Sequence, residues 1–175
     1  MAQLSPLSYL VLGLIDRAGE VTPYDLKRMA VSMSGLWTLS HDQVYREPER
    51  LAKLDLLTEE REESGRRRRR FRITPQGRAA LQEWLRSPTT EFTELRDAGL
   101  LQLFLGADPA PLAQLQLDAH EERLREYEEL RKNLADQAPE GVLLSLRAGI
   151  GHEREWVRFW AELVSDDPAA SHRPI

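Results

Sequence analysis

The 175-residue chain is long enough for one domain or two small ones, and its 41% hydrophobic residues suffice for a buried core. It contains no cysteine, which excludes disulfides, thiolate metal sites and cysteine nucleophiles. The sequence shows neither a secretion signal nor an apolar run of about 20 residues, so we expect a cytoplasmic protein without a membrane span.

The net charge of −5 is unevenly distributed along the chain. Residues 1–87 contain 15 Lys and Arg against 12 Asp and Glu, a net of +3, whereas residues 88–175 contain 9 against 17, a net of −8. Because the screening length at physiological salt is about 8 Å, local charge decides whether a surface contacts phosphate. This uneven charge distribution suggests that the first half of the chain binds a polyanion and that the second half has a different function.

Three helices are predicted in the first 54 residues. Residues 4–18 are apolar on nearly every side, as in a buried helix. Thr22-Pro23 supplies a cap and a first-turn proline for a second helix to about residue 33. Ser40 and Gln43 have the spacing of a capping box, which predicts the start of a third helix.

A β-hairpin and a fourth helix follow. A strand begins at residues 56–58, Ser64-Gly65 is a turn signal, and arginines alternate with apolar residues up to Ile73. Six of the seven residues from 66 to 72 are arginine. Thr74-Pro75 repeats the cap-plus-proline pattern and predicts a helix to about residue 86, with Leu81, Trp84 and Leu85 on its inner face.

The second half is predicted to be helical throughout. Helices are expected at about residues 94–105, 108–135 and 140–164, and the last two have apolar seams that suit antiparallel packing or pairing with a second copy. Polar residues interrupt these seams at His120 and Arg131 in the first of the two helices and at Glu153 in the second. The fold class is therefore mainly α with a small β-hairpin, a winged helix-turn-helix followed by an α-helical dimerisation domain. The predicted division is a winged helix at 1–87, a helical dimerisation and effector domain at 88–166, and a flexible tail at 167–175.

A helix followed by a basic hairpin is the pattern of a winged helix that binds double-stranded DNA, with the helix in the major groove and the hairpin over phosphates. Gln43 suits adenine, and Arg46 or Arg50 suits guanine. The alternative is that Glu47, Glu49 and the carboxylates of the hairpin neutralise these arginines. The candidate DNA-binding residues are Ser40, His41, Gln43, Tyr45, Arg46, Arg50, Arg66, Arg67, Arg68, Arg69 and Arg70.

Aromatic residues in the second half are candidates for binding a small planar effector, because ligand pockets are apolar with a few polar groups. The candidates are Phe104, Tyr127, Trp156 and Trp160. The alternative is that they form the helical core and the dimer seam. His120 and His152 lack the accompanying ligand pattern of a metal site, so we expect no metal and no cofactor. Neither a glycine-rich phosphate loop nor a nucleophile elbow is present, so we do not expect an enzyme.

The order and spacing of several short motifs resemble the PadR family of bacterial transcriptional regulators. They are Leu12-Gly13-Leu14-Ile15, Thr22-Pro23-Tyr24-Asp25-Leu26, Gln43-Val44-Tyr45, Arg50-Leu51, the arginine-rich hairpin, and Phe71-Arg72-Ile73-Thr74-Pro75-Gln76-Gly77-Arg78. The helical remainder is similar to the virulence-activator-like C-terminal domain of one subgroup. The resemblance implies a homodimer, formed through the C-terminal helices, that represses from a palindromic operator and is released by a small effector.

Two positions depart from the family pattern. Pro48 stands where leucine is usual, and a proline inside a helix removes one backbone hydrogen bond, so the third helix is expected to kink or end early. Asp55 stands where glycine is usual and is expected to adopt the left-handed conformation there. The alternative function is a helical protein-interaction module with only non-specific nucleic-acid binding.

Overall fold

The computed structural model describes residues 4–31, 39–61, 68–92, 96–134 and 138–165. The chain divides into two compact units, residues 1–92 and 93–175. The predicted division at 87–88 lies a few residues earlier, and the predicted tail falls outside the described residues. The fold is mainly α with one two-stranded antiparallel hairpin, as the sequence predicts.

Unit one contains four helices and the hairpin. They are α1 (Pro6–Ala18), α2 (Pro23–Val31), α3 (His41–Lys53), β1 (Leu57–Arg61), β2 (Arg69–Ile73) and α4 (Pro75–Arg86). Prolines occupy the first positions of α1, α2 and α4, where the missing N–H has no helical partner in any case. The positive φ of 80° at Gly19 ends α1.

The core of unit one forms where the helices cover the inner face of the hairpin. Phe71 of β2 is fully buried there, with the apolar faces of α1 and α3 against it. Its fully buried or nearly buried members are Val11, Leu12, Leu14, Ile15, Val21, Leu26, Val44, Leu51, Leu56, Leu57, Phe71 and Leu81. The expected inward positions of α4 are confirmed for Leu81 only, because Trp84 and Leu85 are 40% and 60% exposed.

The hairpin pairs Leu57 with Ile73 and Arg61 with Arg69, which fixes the register of the ladder. Val21 forms a single antiparallel bridge to β2: its N–H donates to the Phe71 carbonyl at 3.1 Å, and the Phe71 N–H donates to the Val21 carbonyl at 2.8 Å. Because strand side chains alternate, Phe71 faces the core and its two arginine neighbours face outward. We call β1 and β2 together the wing.

The two departures at Pro48 and Asp55 have different outcomes. Helix α3 continues through Pro48 to Lys53 instead of ending early, and Pro48 is buried. Asp55 adopts φ 59°, as predicted, in the turn that leads from α3 into β1. The Thr74 hydroxyl donates to the Asp55 carbonyl at 2.7 Å, which ties this turn to the start of α4.

Unit two consists of α5 (Ala98–Phe104), α6 (Pro109–Leu134) and α7 (Glu140–Ser165). Helices α6 and α7 pack against each other through the seam that the sequence predicts, with Ile150 and Trp160 fully buried. Two of the three polar interruptions of these seams pair with each other, since His120 Nδ1 lies 2.6 Å from Glu153 Oε2. Among the described residues, no helix is both long and apolar enough to cross a membrane.

Candidate nucleic-acid interface

The N-terminus of α3 is held by the capping box that the sequence predicts. The Gln43 N–H donates to Ser40 Oγ at 3.3 Å, and the Ser40 N–H donates to Gln43 Oε1 at 2.9 Å. The Gln43 side chain therefore accepts the capping hydrogen bond through its amide oxygen, and its amide nitrogen can donate to another partner. Next to it, His41 and Tyr45 are exposed, with ring centroids 4.9 Å apart.

The two arginines of α3 have different environments. Arg46 is exposed and forms no salt bridge within the described part of the chain. Arg50 is held on both sides of its guanidinium. Its Nε and Nη2 donate to Glu47 at 3.0 and 2.7 Å, and Nη2 also donates to the buried Ser8 hydroxyl of α1 at 2.8 Å. Arg46 is thus available to a ligand, whereas Arg50 joins α3 to α1.

Arg69 joins the wing to α3. Its guanidinium donates to both carboxylate oxygens of Glu59 on β1, at 2.7 and 2.9 Å, and to Glu49 on α3. It also lies 5.5 Å from the centre of the Phe71 ring. The hydrogen bonds from Arg69 lower the pKa of Glu59 to about 2, and Glu59 in turn raises the pKa of Arg69. This network joins the loop end of β2 to α3.

The outward arginines of β2 share one carboxylate. Arg70 Nη1 donates to Glu20 at 2.6 Å, and Arg72 Nε donates to the other Glu20 oxygen at 2.6 Å. Arg68, at the described end of the wing, is exposed. Arg66 and Arg67 lie outside the described residues. The alternative of arginines neutralised by Glu47, Glu49 and the hairpin carboxylates therefore applies to Arg50 and Arg69. Arg70 is paired with Glu20 instead, which that alternative did not include.

The effector candidates do not all come together. Trp156 packs among His120, His152 and Phe159, and its Nε1 donates to His152 Nε2 at 2.7 Å. The four effector candidates are placed as follows: Phe104 on α5 is 86% exposed, Tyr127 on α6 and Trp156 on α7 are partly buried, and Trp160 on α7 is fully buried.

A groove of about 410 Å³ in unit two lies instead near the start of α7 and the end of α6. Burial raises the pKa of Tyr127, whose ring lies against Gly149. Tyr127, Trp156 and Trp160 therefore belong to the α6–α7 packing, and Phe104 is separate from them.

No pattern in the sequence indicates that Glu20 contacts the wing. It follows the glycine that ends α1 and precedes the single residue that bridges to β2, so no periodic pattern marks it as part of a sheet. Only the Val21–Phe71 bridge, a contact between residues 50 positions apart, brings it there.

Comparison with known families identifies both halves of the chain. Residues 11–83 match the Transcriptional regulator PadR-like family, and residues 95–166 match the Virulence activator alpha C-term family. The chain therefore carries a PadR-like domain followed by a virulence-activator-like C-terminal domain. The PadR-like family is a family of transcriptional regulators and not of enzymes. No curated protein sequence matches the chain.

Solved structures of PadR-like regulators share the fold over nearly their whole length. Bacillus subtilis PadR in complex with operator DNA superimposes with a TM-score of 0.77 at 20% identity, covering 92% of this chain and 98% of that one. The same regulator in complex with p-coumaric acid gives 0.69 at 20% identity, with 93% and 97% covered. The Vibrio cholerae virulence activator AphA gives 0.65 at 25% identity, with 93% and 98% covered.

Proposed function

We propose that this PadR-like regulator is a dimeric repressor that binds a palindromic operator through α3 and the wing and leaves it on binding a small planar effector. The observation that carries the DNA-binding part is the Arg69 network, which joins the wing to α3 through Glu49 and Glu59. A helix and a basic hairpin held side by side in this way suit a major groove and the phosphates next to it.

The contacts follow from exposure and pairing. Arg46 and Arg68 are exposed and have no salt bridge in the part of unit one that the structure describes, so they are our first choices for base and phosphate contact. The exposed rings of His41 and Tyr45, with Ser40, suit contacts to the DNA backbone near the start of α3. Arg50 has a structural role instead of contacting DNA, because its guanidinium already donates to Glu47 and Ser8.

Two copies are needed, because one helix and one wing contact too few base pairs to select an operator in a genome. Unit two supplies a surface for the pairing. Leu101 and Phe104 of α5 lie three residues apart and are 56% and 86% exposed. Leu105 at the C-cap of α5 and Leu115 of α6 are 74% and 69% exposed. Large apolar side chains exposed together mark interaction surfaces. We expect Phe104→Glu to yield monomers in light scattering and to abolish operator binding. The control variant Glu122→Gln, at an exposed position of α6, should change neither the oligomeric state nor operator binding.

The DNA-binding part is tested with fragments selected from genomic DNA by the purified protein. We expect a saturable gel shift that resists non-specific competitor and a palindromic site with half-sites about one duplex turn apart. If each protomer neutralises about four phosphates, the slope of log affinity against log salt is about −7. A competitor-sensitive smear, or a slope shallower than about −2, would favour the helical interaction module with non-specific binding.

Alanine variants separate the surface from general charge effects. Arg46→Ala and Arg68→Ala should weaken the operator shift, each by roughly tenfold, in line with the loss of one charged contact of 1–3 kcal/mol. Arg147→Ala removes the same charge from exposed α7 in unit two and serves as the matched control. Equal effects of all three changes would show that the binding follows net charge and not this surface.

The effector part draws on a relative: Bacillus subtilis PadR has been solved with p-coumaric acid. A planar aromatic acid that binds unit two releases DNA only if it binds the free form better than the DNA-bound form. Titrating p-coumaric acid into the operator complex tests this directly. Release at concentrations that also quench tryptophan fluorescence supports it, and an unchanged shift at saturation refutes it for this class of acid.

A further inference from the structure

Glu20 holds two arginines of the wing at once. Its two carboxylate oxygens divide between them: Oε1 accepts from Arg70 Nη1 at 2.6 Å, and Oε2 accepts from Arg72 Nε at 2.6 Å and Nη2 at 2.5 Å. The Glu20 side chain is 23% exposed, and those of Arg70 and Arg72 are 42% and 58% exposed. The guanidinium groups are thus within reach of a polyanion, with a protein carboxylate already bound to them.

Backbone pairing places Glu20 next to Arg70 and Arg72. Val21 pairs with Phe71, so in the antiparallel register Glu20 stands directly opposite Arg72 and diagonal to Arg70. Opposite and diagonal neighbours on one sheet face lie within reach of long side chains. The hydrogen bonds from Arg70 and then Arg72 lower the pKa of Glu20, so it is ionised at neutral pH.

We propose that Glu20 limits the affinity of the wing for DNA by competing with phosphate for Arg70 and Arg72. The inference rests on the proposed DNA-binding function and adds a residue that sets its strength. A phosphate that approaches either arginine must displace the carboxylate and also meets its negative charge. Arg69 shows the contrast, since Glu49 and Glu59 hold it at 24% exposure and it serves to anchor the wing.

Glu20→Gln removes the charge at this position, and Glu60→Gln is its matched control. Glu60 lies on β1 opposite Arg70, is exposed, and has no salt bridge within the described residues, so its loss changes the net charge equally without releasing an arginine. We expect Glu20→Gln to bind the selected operator at least tenfold more tightly than Glu60→Gln at 0.1 M salt. If both arginines then contact phosphate, the salt slope steepens by about 1.8 per protomer.

A double-mutant comparison assigns the gain to the two arginines. In a background that carries Arg70→Ala and Arg72→Ala, Glu20→Gln should raise the affinity no more than Glu60→Gln does, because no arginine remains for it to release. Glu20→Ser, which cannot span the same distance, should reproduce the gain and guards against a residual bond from glutamine. Melting curves of the variants establish that the fold is retained.

Heparin chromatography separates failure of this inference from failure of the proposed function, because it needs no operator. Later elution of Glu20→Gln than of Glu60→Gln supports competition by Glu20 even if no operator shift is found. Equal elution and equal affinity overturn the inference while wild-type operator binding stands. Weaker binding by Glu20→Gln also overturns it, since Glu20 would then position the arginines for phosphate and not withhold them.

Discussion

Acid should weaken unit one through Glu59, the carboxylate that anchors the wing. Its folded-state pKa is about 2, lowered from 4.5 mainly by the hydrogen bonds from Arg69. Because the unfolded chain binds more protons between these values, the stabilisation is complete above about pH 4.5 and is lost as pH falls towards 2. Each pKa unit corresponds to about 1.4 kcal/mol, so the difference of about 2.5 units gives an upper limit of about 3.5 kcal/mol at pH 7.

Solvent reduces this figure, because Arg61, the second partner of Glu59, is 70% exposed. We therefore expect Glu59→Gln to lower the free energy of unfolding by about 1–3 kcal/mol at pH 7. At pH 3 the difference from wild type should shrink by more than half. Urea is the suitable denaturant, since guanidinium chloride would screen the ion pair.

Glu60→Gln is the control for this experiment as well, because Glu60 is the exposed neighbour of Glu59 on the same strand. Its unfolding free energy should follow that of wild type within about 0.5 kcal/mol at both pH values. If Glu59→Gln and wild type differ by the same amount at pH 7 and pH 3, the Arg69–Glu59 pair is not the source of the acid dependence of stability.

Three backbone positions give further predictions. Gly77→Ala should destabilise unit one by about 2 kcal/mol or more, since its Cβ would lie 2.1 Å from the Leu56 carbonyl oxygen, which accepts the Thr74 N–H. Gly151→Ala meets nothing within 4 Å on exposed α7 and should stabilise by about 0.5–1 kcal/mol. At Asp55, whose φ is 59°, alanine should cost about 1 kcal/mol relative to glycine. Thermal unfolding measures all three, and a neutral Gly77→Ala would show that the chain relaxes there.

Local signals in the sequence predicted most of the fold. Helix starts are marked by the Ser40–Gln43 capping box and by the prolines after Thr22 and Thr74. Each of these signals involves residues within four positions of one another, so it can be recognised without a tertiary structure. The left-handed Asp55 follows from the same kind of local geometry. The expected early end of α3 at Pro48 is not observed, because the burial of Pro48 in unit one outweighs the loss of one backbone hydrogen bond in α3.

Non-local contacts account for what the sequence did not reveal. The His120–Glu153 pair joins two polar interruptions that were visible separately on their helices, but their register across α6 and α7 was not. The same limit applies to the wing. Its arginines stand out in the sequence, whereas Glu20 and Glu49 reach them only through the folded chain.

The carboxylates around the wing explain how so basic a strand is stable before any polyanion arrives. Adjacent guanidinium groups repel one another, and Glu20, Glu49 and Glu59, from three separate segments, offset this repulsion for three arginines of β2. The cost is weaker attraction for phosphate, which is the sequence-independent part of DNA binding. Lowering that part leaves more of the binding energy to base contacts from α3, so a wing that is partly neutralised favours selection of an operator over adhesion to any duplex.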